Sequence, residues 1–223
     1  PVEALTQEGG AVRVQWGGGA QTSAAAVVVA IPPPLRLGIR FDPPLPPEQV
    51  ALLQRSPMGA MVKVLAVYPR PFWRQQGLNG LGIGNLPLLE LTADCSPPAG
   101  PGLLVGFIAA DRARRWRALS EPQRRRQVLD DLVSLWGAPA GEPIDLVQHD
   151  WCAESWSGGA FTSFLVPGAW SRFGRHWQTP HGRVIWAGTE VASRWPGYFE
   201  GALEAGGSAA AQVRRLLDGD HPR

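Results

Sequence analysis

The sequence predicts an α+β domain, built on a mixed or antiparallel sheet with helices, flanked by pieces of an α/β domain. Strand-like runs dominate the middle of the chain, while two continuous apolar runs, residues 27–31 and 184–188, sit toward its ends and read as buried parallel strands. Two arginine-rich helical stretches, the second with an apolar stripe, stand between the middle strands and the second of those runs.

In chain order, residues 12–16 alternate and run into Gly17-Gly18-Gly19, as a hairpin strand and its turn do. The run 25–31, with three valines, suits a strand buried on both faces, and Pro32-Pro33-Pro34 stops it. Residues 43–47 make an extended connector, and 48–55 a short helix closed by Pro57. Residues 60–68 and 103–109 read as long strands. Between them Gly80-Leu81-Gly82-Ile83-Gly84 precedes Pro87 and opens no helix, so it reads as a hairpin or loop. Helices follow at about 111–119 and 122–136, the second opened by Ser120 and Gln123 at capping-box spacing. Its Val128, Leu129, Leu132, Val133, Leu135 and Trp136 form a stripe that should pack on a sheet. A strand at 184–187 and a helix from about 198 to 217 complete the pattern, and no internal repeat is visible.

Composition narrows the function. A chain of 223 residues with 44% hydrophobic and 18% charged content is an ordinary globular sequence with ample core. A net charge of +2 gives no reason to expect nucleic acid or a membrane surface as partner. No apolar run approaches a membrane span and no secretory signal opens the chain, so a soluble protein is expected. Cys95 and Cys152 offer neither a disulfide framework nor metal-ligand spacing, which makes a reduced, cytoplasmic setting the expectation. His149, His176, His181 and His221 are scattered and predict no metal site. The arginines between 112 and 126 read as solvated helix faces. No nucleophile turn of the Gly-x-Ser-x-Gly kind occurs. Oligomeric state is not legible.

The most informative stretch is 182–206. A short apolar run ends in Gly188-Thr189-Glu190, placing a carboxylate at a strand's C-terminal end, where α/β folds bind ligands. Pro196-Gly197 then breaks the chain before a helix begins, which frees the amides near Tyr198, Phe199 and Glu200 to face a ligand oxygen. The Ala-Gly-Thr-Glu turn followed by Gly-Tyr-x-Glu-Gly-Ala-x-Glu-Ala-Gly resembles the C-terminal flavin-binding segment of the FAD-dependent amine oxidases, of which the monoamine oxidases are the best known. The resemblance extends upstream through 27–33 (VVVAIPP), 41–46 (FDPPLP), 56–63 (SPMGAMVK), Phe72-Trp73, Gly106-Phe107-Ile108 and 151–159 (WCAESWSGG). Several spaced segments in one order are far harder to obtain by chance than a single short pattern.

The resemblance implies a domain plan: residues 1–33 as part of an FAD-binding domain with a hairpin, 34–150 as a substrate-binding domain, and 151–223 as the return to the FAD-binding domain with its C-terminal helix. No strand followed by a Gly-x-Gly-x-x-Gly turn and a helix opens this sequence. The expectation is therefore the C-terminal portion of a longer enzyme, inactive alone, whose missing N-terminal FAD-binding segment precedes Pro1. The polar end at 218–223 lacks the hydrophobic tail that anchors the mitochondrial relatives.

Site residues follow from the residues and from the resemblance. Lys63, the one lysine, interrupts an apolar run, where an ammonium must find a partner, reach water or lose its proton. Read from the residues it is an edge-strand guard against sheet extension. The resemblance instead implies a lysine that holds a water bridging to flavin N5 and favours reoxidation by dioxygen. For Phe161 and Tyr198, the residues alone allow two core aromatics; the resemblance implies a pair of rings flanking the approach of the amine to the flavin. Trp151 is either a core tryptophan or the one packing near the flavin ring. Glu190 is a turn residue, a ribityl contact, or both, and Val2 resembles the valine whose backbone meets the adenine. Gly188, Thr189, Gly197, Phe199 and Glu200 complete the implied cofactor-binding set. Covalently flavinylated relatives carry cysteine where this chain has Ala160 in Ser157-Gly158-Gly159-Ala160, so noncovalent FAD is expected. The implied reaction is amine oxidation to imine and aldehyde, with dioxygen reduced to hydrogen peroxide. Amino acids or polyamines as substrates remain open, as does a noncatalytic fragment or binding module without flavin.

Overall fold

The computed structural model describes residues 1–219; His221 lies outside them. The elements, in order, are β1 Val2–Glu8, β2 Ala11–Trp16, β3 Ala20–Ala24, β4 Val27–Val29, β5 Arg40–Asp42, α1 Pro47–Leu53, β6 Met61–Tyr68, α2 Phe72–Gln75, β7 Gly82–Ile83, β8 Leu91–Asp94 and β9 Gly102–Ala109. They continue with α3 Ala110–Ala118, α4 Glu121–Trp136, β10 Asp145–Asp150, α5 Ala169–Phe173, β11 Val184–Trp186 and α6 Phe199–Gly219. The chain divides into two compact units, one formed by Pro1–Met58 with the segment from Trp156 onward, the other by Gly59–Ser155.

In the discontinuous unit, β1, β2 and β3 form an antiparallel meander and β5 joins β1 in parallel. The glycine triplet at 17–19 makes the β2–β3 turn with three positive φ values, as a tight hairpin requires. β4 and β11 pair in parallel, Val27 to Val184 and Val29 to Trp186, joining segments more than 150 residues apart in sequence. β4 is shorter than the apolar run suggests. Pro32–Pro34 withhold backbone donors, and the chain turns into a 3-10 segment, Pro33–Gly38. Nor is it buried on both faces: α6 covers Ile185 and Ala187 through Ala209, whereas Val28, paired with Ile185, is 45% exposed.

α1 starts on Pro47, where a missing N–H costs nothing, and sends Leu52 and Leu53 into a core with Leu5, Val12, Trp177, Val184 and Trp186. Gln49 Nε2 donates to the Thr179 carbonyl at 2.8 Å. Residues 34–58, which the sequence plan assigns to the middle domain, therefore pack with the terminal segments.

The middle unit is a five-stranded antiparallel sheet in the order β10-β6-β9-β8-β7. The string at Gly80–Gly84 is indeed a hairpin arm, with Gly82 paired to Thr92. On one face Val62, Val64, Ala66 and Tyr68 meet Trp116 of α3 and Val128, Leu132 and Trp136 of α4. The capping box forms, Ser120 N donating to Gln123 Oε1 at 2.9 Å. Asp131, buried on the same helix, accepts from the amides of Leu88 and Leu89 at 2.8 Å each. Val133 leaves the stripe and is 37% exposed.

Candidate active site and cofactor cradle

β11 delivers the turn. After Ala187 N donates to Val29 O at 2.9 Å, Gly188 adopts φ +100, a conformation that favours glycine, and a 3-10 turn spans Thr189–Val191. The Thr189 hydroxyl accepts from Gly197 N at 2.7 Å and donates to Tyr198 O at 2.8 Å. One side chain thus holds the Pro-Gly turn to the strand end. From the other side, Glu204 of α6 accepts from Ser193 N and Arg194 N at 3.1 Å each. The Gly-Ala-x-Glu spacing is explained: Gly201 lets the helix press against the Trp195 carbonyl and Thr189 Oγ1, and Glu204, one turn on, clamps the loop.

A second segment reaches the same place. Phe164 N donates to Pro57 O at 2.9 Å, fixing the loop after Ala160 beside the end of α1. A Cβ on Gly197 would stand 3.2 Å from Thr162 Cγ2, so the two turns touch, each one residue away from an aromatic of the predicted pair. Ser163 N donates to Glu190 Oε1 at 3.3 Å. Phe161 and Tyr198 are 60% and 67% exposed. They are not core aromatics. The Tyr198 ring meets Trp195 edge-on, 6.2 Å between centroids. Phe199, at the start of α6, is 94% exposed, and Glu200 beside it is exposed too.

Next to this turn opens a cleft of about 780 Å³, lined by Glu190, Ser163, Trp170, Arg175, Trp177 and Gln178 among others. Trp177 Nε1 donates to the Glu190 carbonyl, and Gln178 Nε2 to Val191 O at 2.7 Å, so the lining is tied to the same turn. Beneath it lies a residue that pattern reading missed. Arg36, from the 3-10 segment after the prolines, is 2% exposed; its Nη2 donates to Ala187 O at 3.2 Å and its Cζ stands 4.8 Å over the Trp186 ring. Burial pushes the Arg36 guanidinium down to about 10, and the Glu190 carboxylate works against that shift. The only sequence signal was a cation inside an otherwise apolar PPPLRLGI string.

The remaining predicted residues belong to other elements. Val2 begins β1, paired with Trp16 and 40% exposed. Lys63 and Trp151 belong to the middle unit. Trp151 opens a 3-10 turn that Asp150 caps through Cys152 N at 3.0 Å, and its ring is edge-on to His149 at 4.7 Å. Lys63 is not on an edge strand. β6 is flanked by β10 and β9, with Lys63 facing His149 on one side and Phe107 on the other. Its Nζ stands 5.7 Å from the Phe107 ring centroid, on the sheet face opposite the helices.

Residues 1–214 match the family described as flavin containing amine oxidoreductase. The chain belongs to that family. Among its relatives, an L-amino acid dehydrogenase of a Synechocystis species is 44% identical over 189 residues, 84% of this chain and 40% of that protein. Flavin-containing amine oxidase B of Cavia porcellus is 36% identical, over 84% of this chain and 37% of its own. Among solved structures, cyclohexylamine oxidase from Brevibacterium oxydans superposes with TM-score 0.92 at 33% identity, and wild-type putrescine oxidase bound to putrescine with TM-score 0.92 at 30% identity. Both alignments cover nearly all of this chain and 48% of the other. The chain thus spans about half the length of the relatives it matches.

The residues present suit the flavin of such a family. A flavin carries a flat aromatic ring and a hydroxylated chain. The turn offers exposed rings, a carboxylate that can accept from hydroxyls, and a helix whose first turn lies at the surface. Among the described residues no group of three or more His, Cys, Asp or Glu is arranged to hold a metal, and no helix is long and apolar enough to cross a membrane.

Proposed function

We propose that this chain forms part of an FAD-dependent amine oxidase, which converts an amine to an imine, released as aldehyde and ammonia after hydrolysis, while dioxygen takes up two electrons and two protons to give hydrogen peroxide. The observation that carries this reading is the junction of the Thr162 and Gly197 turns, which presents Phe161 and Tyr198, both exposed, beside Glu190 and the cleft.

Bound FAD would supply the two-electron acceptor chemistry. The chain's own residues hold and orient. Phe161 and Tyr198 present ring faces that attract an amine and limit its angle of approach. Phe161 keeps the steric role while offering no hydroxyl. Glu190 accepts a hydrogen bond from the cofactor's hydroxylated chain, and the opening amides of α6 near Phe199 and Glu200 donate toward a cofactor oxygen. Ala160 presents a methyl group, which forms no thioether, so the cofactor is held noncovalently. Lys63 brings positive charge and a bound water to the oxygen-reacting side, Trp151 packs beside the ring, and Val2 contacts the adenine end through its backbone.

The test is the absorbance spectrum of the full-length protein carrying this chain. A visible flavin band that a primary amine bleaches without air, and that air restores with equimolar hydrogen peroxide, is the expected result; a colourless protein, or a band no amine bleaches, refutes the proposal. A second reading, oxidation of an L-amino acid, is favoured by the 44% identity to a protein named for that activity and by Arg175 in the cleft lining, a cation able to meet a carboxylate. Bleaching by an L-amino acid but not by the matching amine would decide for it, and bleaching without peroxide on reoxidation would mark a dehydrogenase.

A further inference from the structure

Arg36 is the sole buried cation among the described residues. Its surroundings satisfy it poorly: one hydrogen bond to Ala187 O, one ring face on Trp186, and a buried Nε with no acceptor. A guanidinium removed from water at such cost requires an opposing charge. Among the described residues the carboxylate that bears on it is Glu190, three residues beyond Ala187, short of a direct ion pair. Its carboxylate folds back over the turn, where a Cβ on Gly188 would stand 3.5 Å from Oε2, while Oε1 accepts from Ser163 N. The other polar groups around Arg36 are Gln49, whose Oε1 is buried without a donor, and His176, and neither brings a negative charge.

We propose that Arg36 is a positioning residue for the cofactor site: fixed to the Ala187 carbonyl, its buried charge holds the Gly188-Thr189-Glu190 turn and aims the Glu190 carboxylate. The inference rests on the flavin reading above. It makes Arg36 act through Glu190, so the two must be coupled; a guanidinium that merely fills space under Trp186 would not be coupled to that carboxylate.

The experiment uses the full-length protein as wild type, Arg36→Met, Glu190→Gln and the double variant, with FAD affinity read by equilibrium dialysis and by the fluorescence of released flavin. Each single change should weaken FAD binding about tenfold, and the double should stay near tenfold, because the second change removes a charge the first has already stranded. A double variant weakened about a hundredfold, the product of independent effects, overturns the inference while leaving the flavin reading intact. A wild type that binds no FAD overturns both. Should Arg36→Met fail to fold, unfolding temperatures of Glu190→Gln and of the double variant decide. A double at least as stable as Glu190→Gln supports the coupling, and a double that is less stable or insoluble overturns it.

Discussion

The tightest approach in the site lies under Gly201, and adding one methyl group there tests whether the site depends on it. In an open helix position, Gly→Ala stabilises by about 1 kcal/mol, because glycine loses more backbone entropy on folding. At Gly201 the new Cβ would run into the Trp195 carbonyl and stand 2.9 Å from Thr189 Oγ1. Neither can yield freely: Trp195 O accepts from Tyr198 N at 3.1 Å, and Thr189 Oγ1 is engaged by Gly197 and Tyr198. Overpacking costs about 1–3 kcal/mol, and a weakened Thr189 hydrogen bond about 1 more. After subtracting the helix gain, Gly201→Ala should destabilise by about 2 kcal/mol, lowering the unfolding temperature of the full-length protein by roughly 2–4 °C. Gly207→Ala is the control, since a Cβ there meets nothing within 4 Å on the same helix, and it should stabilise by about 0.5–1 kcal/mol. Urea and thermal unfolding of the full-length holoprotein measure both. Equal shifts, or a Gly201→Ala protein at least as stable as wild type, would show that α6 does not bear on the turn as described.

Thr189→Val strands the Gly197 amide, at about 1–3 kcal/mol, and leaves the Tyr198 carbonyl only its bond from Ala202 N, so it should weaken FAD binding, whereas Thr189→Ser keeps the hydroxyl and should retain it; equal losses in dialysis would remove the hydroxyl from its role. In the middle unit, burial alone would raise the Asp94 carboxyl, but hydrogen bonds from Ser96, Trp73 and Arg74 outweigh it and hold the group below the ordinary carboxylate range. The unfolded chain then takes up the proton first, so this stabilisation is complete above about pH 4 and is lost as pH falls further. Urea unfolding of Asp94→Asn should accordingly show a shallower acid limb than wild type, and identical limbs would refute this. Lys63→Met, on the proposed function, should slow reoxidation by oxygen far more than reduction by amine, and equal slowing of the two half-reactions in stopped flow would remove Lys63 from that role.

What the sequence disclosed was what short-range chemistry encodes. The glycine triplet after Trp16, the Ser120–Gln123 cap and the α4 stripe each fix geometry within a few residues, and each is present. The parallel character of β4 and β11 was legible because both are valine- or isoleucine-rich runs bounded by turn residues, but their pairing with each other was not. β10 was not legible: its LVQHD stretch is half polar, since Gln148 and Asp150 turn to Trp116 and Arg117 while Val147 and His149 face the other way. The placement of residues 34–58 was missed because α1 is identified by its partners Trp177 and Trp186, more than 120 residues away, which no local period reveals. In the site, Thr189, Glu190, Gly197 and Tyr198 were visible as a motif, but their interlocking was not. Arg36 escaped because a residue in a 3-10 turn has no periodic face from which to infer its direction.

Lys63 shows how topology can change the weight of an explanation without supplying its replacement. On residues alone, a lysine in an apolar strand is most cheaply explained as an edge guard. Strands on both sides of β6 remove that explanation. A place in the core is excluded as well, because the alternation of Val62, Val64, Ala66 and Tyr68 toward α3 and α4 sends Lys63 to the other face with Met61, Leu65 and Val67. On that face Lys63 is exposed, with His149 and Phe107 as its register partners on the neighbouring strands. Among the described residues Lys63 forms no ion pair, and its Nζ stands 5.7 Å from the Phe107 ring centroid. With edge protection and core packing set aside, a solvated ammonium and the proposed role of the charge toward the flavin are the two explanations left, and the oxygen half-reaction is the measurement that separates them.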